Sequence, residues 1–428
     1  MIWIFLLLQA QPAEEPRWNF SVDQNGAHLR SADGAFDLNL GGRYVLIGRF
    51  VENRSKDFSG PAATDSFRDN GFFTRQARID FYGTLKKIWE FKVSADLVTT
   101  TPTLADGYVG YIGTPWLRLR AGQFKTPQGI EQPGSTLYTT MIERYPGDAI
   151  LPGRELGLMA WGMLLEDGLK YELMLANGAV TADQNKGLGS AGGSDRLDFL
   201  MQLTLYLGRY LDGECFEDFK CGYFHQTGES DALALADLRL RDTGTRFLDF
   251  DNNSTSAGAP SPAGLVVQDG QRERDGVFFS WALGNFGVQG EWARLDMTLL
   301  DVGGARGRHT VFMWAWFADA VWILTGEKKV FNARIEPAEP LDAGGAGAWE
   351  IAVRFGQWQC DDSIVPWLEG FAFPERVTNH TFGINWWPHG NVRASLNLVY
   401  NTFKGRMHFP FDDIRDEAAA LLRLQVGF

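Results

Sequence analysis

Nine basic side chains set the chemical question in this sequence: Arg43, Arg49, Arg78, Lys92, Arg118, Arg120, Arg354, Arg393 and Arg423. Each falls on the same parity as polar neighbours in a segment that alternates polar and apolar residues. A guanidinium is a planar fork of donors that stays charged at any working pH, and it matches the geometry of an oxyanion. Rows of such groups along a water-filled passage set ion selectivity. The carboxylates Asp37, Asp80, Glu90, Asp96, Asp106, Glu291 and Glu350 fall on the same parity and can pair these cations off. The set therefore reads either as an anion-preferring lining or as a mixed polar wall.

A second charged group lies in one stretch, Thr126–Gly153, too long for an ordinary connection and so expected to be functional. It carries Glu131, Glu143, Arg144 and Asp148, with Arg154 at its exit. Folded inward, it would narrow a passage and place its charges at the constriction. Left outside, it would contact a neighbouring subunit.

Other chemistry finds little support. The six histidines (His28, His225, His309, His380, His389 and His408) are scattered, and no pair has metal-ligand spacing. No Gly-x-Ser-x-Gly elbow occurs. No catalytic residue, metal or cofactor is expected. Cys215 and Cys221 could clip a local turn in an oxidising compartment or stand as free thiols, and Cys360 is left over.

The elements that must position the basic row are strands. In the closing stretch Leu422, Leu424, Val426 and Phe428 alternate with Arg423, Gln425 and Gly427. Such a period of two puts one kind of side chain on each face of a strand. The same alternation runs through Asp37–Phe50, Phe72–Gly83, Trp89–Leu97 and Arg196–Leu207. Sixteen such segments can be drawn, the last being Glu417–Phe428. Short turns, such as Asp167-Gly168, alternate with long loops rich in Gly, Asp and Ser, one of them Glu229–Asp275. An apolar-out, polar-in strand set with short turns at one end and long loops at the other is the pattern of a transmembrane barrel. Arg75 and Arg294 break the apolar parity and are expected at membrane interfaces. Gly326–Ala348 would be an unusually long turn on the periplasmic side.

Composition agrees. The 428 residues contain 49 glycines and 13% aromatics, yet no run of the roughly 20 apolar residues that a membrane helix needs. A net charge of −13 argues against nucleic acid as a partner. Residues 1–13 read as a signal peptide, 14–35 as a periplasmic segment with a small hairpin, and 36–428 as one barrel domain. A soluble all-β ligand-binding protein is the competing reading.

Several stretches then resemble the phosphate-selective porin O/P family of outer-membrane porins. They are Gly41-Gly42-Arg43, Phe73–Arg78 (FTRQAR), Ala121–Glu131 (AGQFKTPQGIE), Glu143-Arg144, Gly153-Arg154, Leu324–Glu327 (LTGE), Gly347–Arg354 (GAWEIAVR) and Thr381–Trp387 (TFGINWW) with Asn391–Arg393. The family often has two adjacent arginines where Arg75-Gln76 stands here. The resemblance implies a homotrimer of sixteen-stranded barrels in outer-membrane lipid. It also implies an inward-folded third loop and a pore that conducts small anions, phosphate or polyphosphate among them. Family members include general porins, so a weakly selective pore for other small solutes stays open. By matching position Arg43, Arg78 and Lys125 would be the heirs of the basic lining. Lys125 is off the parity of Arg118 and Arg120, so its inward direction requires a bulge or the strand end.

Overall fold

The computed structural model describes residues 18–52, 70–99, 101–178, 196–211, 213, 215–235, 238–248, 250, 265–302, 306–367, 374–405 and 416–428. The expected signal peptide lies outside them. Two strands, β1 (Trp18–Asp23) and β2 (Gly26–Ser31), form the small hairpin expected ahead of the barrel. The first half of the barrel is β3 (Phe36–Glu52), β4 (Gly71–Leu85), β5 (Trp89–Asp96), β6 (Thr103–Tyr111), β7 (Arg118–Lys125), β8 (Arg154–Leu164), β9 (Leu169–Ala176), β10 (Asp198–Tyr206) and β11 (Lys220–Ala234). A two-stranded ribbon, β12 (Leu238–Arg239) and β13 (Arg246–Leu248), interrupts it. The second half is β14 (Leu265–Leu283), β15 (Phe286–Val302), β16 (Arg308–Ile323), β17 (Ala348–Cys360), β18 (Arg376–His389), β19 (Val392–Lys404) and β20 (Asp416–Gly427).

Leaving out the two hairpins, sixteen strands remain among the described residues. Each pairs antiparallel with the next, and β20 returns to β3 from Ala418↔Glu52 to Gly427↔Arg43, so no edge is left open in the barrel. The last residue completes the seam, the Phe428 amide and carbonyl meeting Gly42 at 2.9 and 2.8 Å. The alternation read from sequence is the alternation of exposure. On β20, Glu417, Leu421, Arg423 and Gln425 are each at most 4% exposed, whereas Leu422 and Leu424, with Phe428 just past the strand, are 41%, 54% and 53% exposed. Val93, Val109, Leu158, Phe355 and Leu398 continue this apolar outer band around the barrel, as a surface facing lipid requires. No helix among the described residues is long and apolar enough to cross a membrane, and the strands do so instead.

One expectation about the connections needs revision. The loop drawn at Glu229–Asp275 is shorter, because β11 runs on to Ala234 and β14 begins at Leu265, the ladder continuing past a register shift between Ser230 and Leu233. A 3-10 turn at Leu207–Arg209 follows β10. Cys215, Cys221 and Cys360 are all free thiols.

Among the described residues, three connections enter the lumen. The stretch between β7 and β8 crosses to the opposite wall, where Arg393 on β19 donates to the Leu137, Thr139 and Thr140 carbonyls at 2.9–3.1 Å. Asn397 accepts from the Ile142 amide at 2.7 Å, and Asn385 on β18 donates to Thr140 O at 3.1 Å. The wall is prepared for it. Val45, Ile47, Val399, Ala419 and Leu421 stand on lumen parity yet are apolar, and they pack against Leu137 and Ile142 of the loop. The loop carrying β12 and β13 enters from the same end and is held by Thr243 and Thr245, which donate to Glu417 at 2.7 and 2.6 Å. From the other end the long 324–347 turn inserts Phe331 and Ile335, and its Asn332 donates to Ile130 O at 3.0 Å.

Candidate functional site

Where these connections meet the wall of β3, β4 and β7, a cavity of about 170 Å³ is lined by Arg43, Arg75, Arg78, Lys125, Arg144, Arg154, Arg241 and Arg423. Two carboxylates, Glu143 and Asp148, share it. Eight cations less two carboxylates leaves six positive charges. Three further carboxylates stand behind the lining: Asp80 on Arg43 (2.8 Å), Asp96 on Arg78 (2.7 Å) and Asp106 on Arg154 (2.8 Å). With them the excess is three, in a chain whose net charge is −13.

Backbone irregularities aim these groups. On β4 the register slips opposite Val45 and Leu46, which pair with Gln76 and Thr74. Arg75 is the extra residue of this bulge, and a bulged residue leaves the alternation. It points into the lumen and pairs with Glu143 at 2.8 Å, while Gln76 beside it bonds Thr136 at 3.0 Å. The expectation that Arg75 faces the membrane interface is thereby corrected. Arg294, the other exception, does lie on the outer face, 2.6 Å from Asp296.

On β7 Gly122 has a φ of +136°, open to glycine and not to L side chains. A Cβ there would lie 2.2 Å from the Gly107 carbonyl. Arg118, Arg120 and Phe124 keep one inward parity past this point, and Lys125, the last residue of β7, joins the cavity at the strand end in spite of its parity. Its ammonium donates to Gly134 O in the inserted loop. Neither Lys125 nor Arg423 has a carboxylate within ion-pair distance among the described residues. Arg423 donates instead to Thr136 O at 3.2 Å.

Not every expected lining residue faces the water. Arg393 is 1% exposed and is spent on loop carbonyls, so it anchors the loop and does not line the pore. Arg49 is 5% exposed, donates to Arg241 O at 3.0 Å and lies over the Phe73 ring. Glu131 is not at the constriction surface either. It is buried against Arg354 at 2.5 Å, and Arg354 also holds Asp319 at 2.7 Å. A buried triad of this kind fixes the loop rather than meeting solute. Lys92 sits behind the cavity, 3.6 Å from Asp80 and 3.4 Å from Asp106. Arg118 and Arg120 stand nearer the turn end of the barrel, over the rings of Trp161 (4.5 Å) and Tyr108 (4.2 Å), and Arg120 also pairs with Glu90 at 2.9 Å. Of the loop charges, Glu143, Arg144 and Arg154 do reach the cavity, Arg144 meeting Asp148 at 3.1 Å.

Sequence reasoning missed Arg241. It comes from the loop between β12 and β13 and meets Asp148 at 3.0 Å. No periodicity marks a loop residue, so no strand-based signal could have found it. Arg75 was marked by the paired arginines of the resembling family and by its break in the apolar parity, which pointed to the membrane interface and not to the lumen. No group of three or more His, Cys, Asp or Glu able to hold a metal occurs among the described residues.

The sequence profile described as “Phosphate-selective porin O and P” matches residues 48–187 and 251–428. No curated protein matches the chain. Among solved structures, the outer membrane channel DcaP of Acinetobacter baumannii is similar over 93% of this chain and 99% of its own, at TM-score 0.57 and 10% identity. The anion-selective porin from Comamonas acidovorans covers 91% of this chain and 99% of its own, at TM-score 0.55 and 11% identity. OmpT of Vibrio cholerae in a trimer form covers 92% of this chain and 100% of its own, at TM-score 0.51 and 8% identity. At such identities the likeness is one of fold.

Proposed function

The chain belongs to the phosphate-selective porin O and P family, and from that premise we propose that it is a passive outer-membrane channel whose selectivity for small anions is set at the basic cavity. The observation that carries this reading is the excess of cations where the inserted loops cross the lumen. Charges that line a confined aqueous path concentrate counter-ions and exclude co-ions. The local field at Lys125 and Arg423 opposes the negative charge of the whole chain and decides which ion passes. Permeation then needs no covalent step and no cofactor.

The partners are outer-membrane lipid, around the apolar band, and small anionic solutes in the lumen. A homotrimer is the assembly we propose, supported by the family resemblance. Cross-linking in detergent tests it, and a protein migrating only as a monomer would remove it. The channel itself is tested by bilayer reconstitution across a KCl gradient. A reversal potential of the sign for chloride over potassium is expected, and the opposite sign would overturn the anion reading.

A further inference from the structure

We propose that the amino-terminal hairpin is a membrane-bound foot, its apolar face lying on the headgroup–acyl boundary of the periplasmic leaflet. The proposal requires the barrel to sit in lipid and is independent of which ion passes through it. Register, exposure and position carry it.

On β1, Trp18, Phe20 and Val22 share one parity and are 49%, 70% and 68% exposed. Pairing carries that face across the hairpin. Val22 stands opposite Ala27, and Ala27 opposite Leu40 of β3, while Phe20, Leu29 and Leu38 form a second row. Trp18 meets Phe36 edge to face, with ring centres 5.4 Å apart. Side chains directly opposite one another on paired strands share a face. The apolar face of β1 is therefore the face of Leu40 and Tyr44, the lipid-facing side of the barrel. The other face of the hairpin is polar and carries its own partners. His28 meets Asp23 at 3.0 Å and also bonds Asn39, and Arg30 donates to Asp37 at 2.9 Å.

Position decides what lies against the apolar face. With β4 along its other edge, β3 gives one edge to β20 from Glu52 to Arg43 and the same edge to β2 from Leu40 to Asp37, just below Phe428. The hairpin turn is tied to the periplasmic turn between β18 and β19, where Asn391 donates to Gln24 O. The hairpin thus prolongs the barrel wall at its periplasmic rim. Trp89, Trp349 and Phe428 stand outward there, and Trp349 stacks on Trp386. Aromatic side chains at a barrel rim lie at headgroup level, and Trp18 and Phe20 extend that girdle downward. A two-faced element with aromatics on its apolar side and charges on the other is built for a membrane interface. A second copy of this chain is the rival occupant. Among the described residues β1 pairs only with β2, so its other edge is open. A strand added at that edge would pair backbone groups and leave the side-chain face uncovered. Edge pairing therefore does not account for Trp18, Phe20 and Val22, and lipid, which already meets the same face at Leu40 and Tyr44, does.

The test places a polarity-sensitive fluorophore on each face of β1. Phe20→Cys and Val22→Cys report the apolar face and Ser21→Cys the polar one, each in a Cys215→Ser, Cys221→Ser background. Cys360 is 4% exposed, and the background without a new cysteine gives its residual labelling. The protein is reconstituted in phosphatidylethanolamine–phosphatidylglycerol vesicles, and heat-modifiable migration checks that each variant is folded. Two quenchers are compared: a nitroxide carried on the lipid near its headgroup, and iodide present on both sides of the bilayer. At Phe20 and Val22 a blue shift is expected, with emission lost to the lipid nitroxide and kept in iodide. Ser21 should show the reverse. Val22→Cys carries the test alone if Phe20→Cys lowers the yield of folded barrel. Quenching of the apolar-face probes by iodide and not by the lipid nitroxide would overturn the proposal, because the face would then be open to the periplasm. Protection from both quenchers would overturn it equally and assign the face to a second copy of the chain.

Discussion

Replacing Lys125 by Gln removes one positive charge from the cavity while keeping a donor for Gly134 O, its hydrogen-bond partner. The consequence can be sized because Lys125 has no carboxylate partner among the described residues, so its charge is not cancelled locally. A unit charge about 4 Å from a bound anion contributes about 1 kcal/mol in bulk water and about 4 kcal/mol at an effective dielectric of 20. Lys125 is half-buried and not fully enclosed, so the lower part of that range applies. A loss of about 1–2 kcal/mol corresponds to roughly 5- to 30-fold weaker anion binding. The assay is single-channel recording in KCl with phosphate as blocker. Screening sharpens it, because the Debye length is about 10 Å at 0.1 M salt and about 3 Å at 1 M, so the effect must shrink as salt rises. Lys125→Arg, which keeps the charge, should retain most of the block. A half-blocking concentration for Lys125→Gln within about twofold of the parent at low salt, where binding energy is least screened, would refute the assignment.

Other perturbations test how the site is held. Arg354→Met leaves Glu131 and Asp319 buried without their cation, a loss of about 3–5 kcal/mol, so the inserted loop should loosen. Conductance is expected to rise and the heat needed to shift gel migration to fall, with partial recovery in the triple variant that adds Glu131→Gln and Asp319→Asn. Arg75→Gln strips Glu143 of the guanidinium at 2.8 Å, and the bared carboxylate should lower the chloride-to-potassium permeability ratio more than Lys125→Gln does. Gly122→Ala puts a Cβ 2.2 Å from the Gly107 carbonyl in a backbone conformation that L residues avoid. A lower yield of folded barrel is expected, measured by heat-modifiable migration, and an unchanged yield would remove the role given to that glycine.

The barrel was legible because its physics is periodic. A strand between lipid and water must alternate, and β20 shows in exposure what Leu422–Phe428 show in residue type. Alternation also located most of the basic row, though it failed in three ways. It assumes an unbroken ladder, and the bulge at Arg75 and the strand end at Lys125 both send a side chain against its parity. It assumes that lumen-facing means solvent-facing, yet Arg354 and Arg393 face inward and are buried under the loop they hold. It is silent about loops, and so missed Arg241. One signal was present and unread. Apolar Val45, Ile47, Ala419 and Leu421 on lumen parity make no sense against water, and they mark the seat of the inserted loop.

Reversal potential in a KCl gradient, measured on the reconstituted protein at low salt, tests the central claim most directly. Six excess positive charges at the cavity lining, or three with the carboxylates behind it, predict a potential of the sign that means chloride permeates faster than potassium. That preference should weaken as salt screens the lining. A potential favouring potassium would contradict the account, since the field of the acidic chain as a whole would then outweigh the cavity.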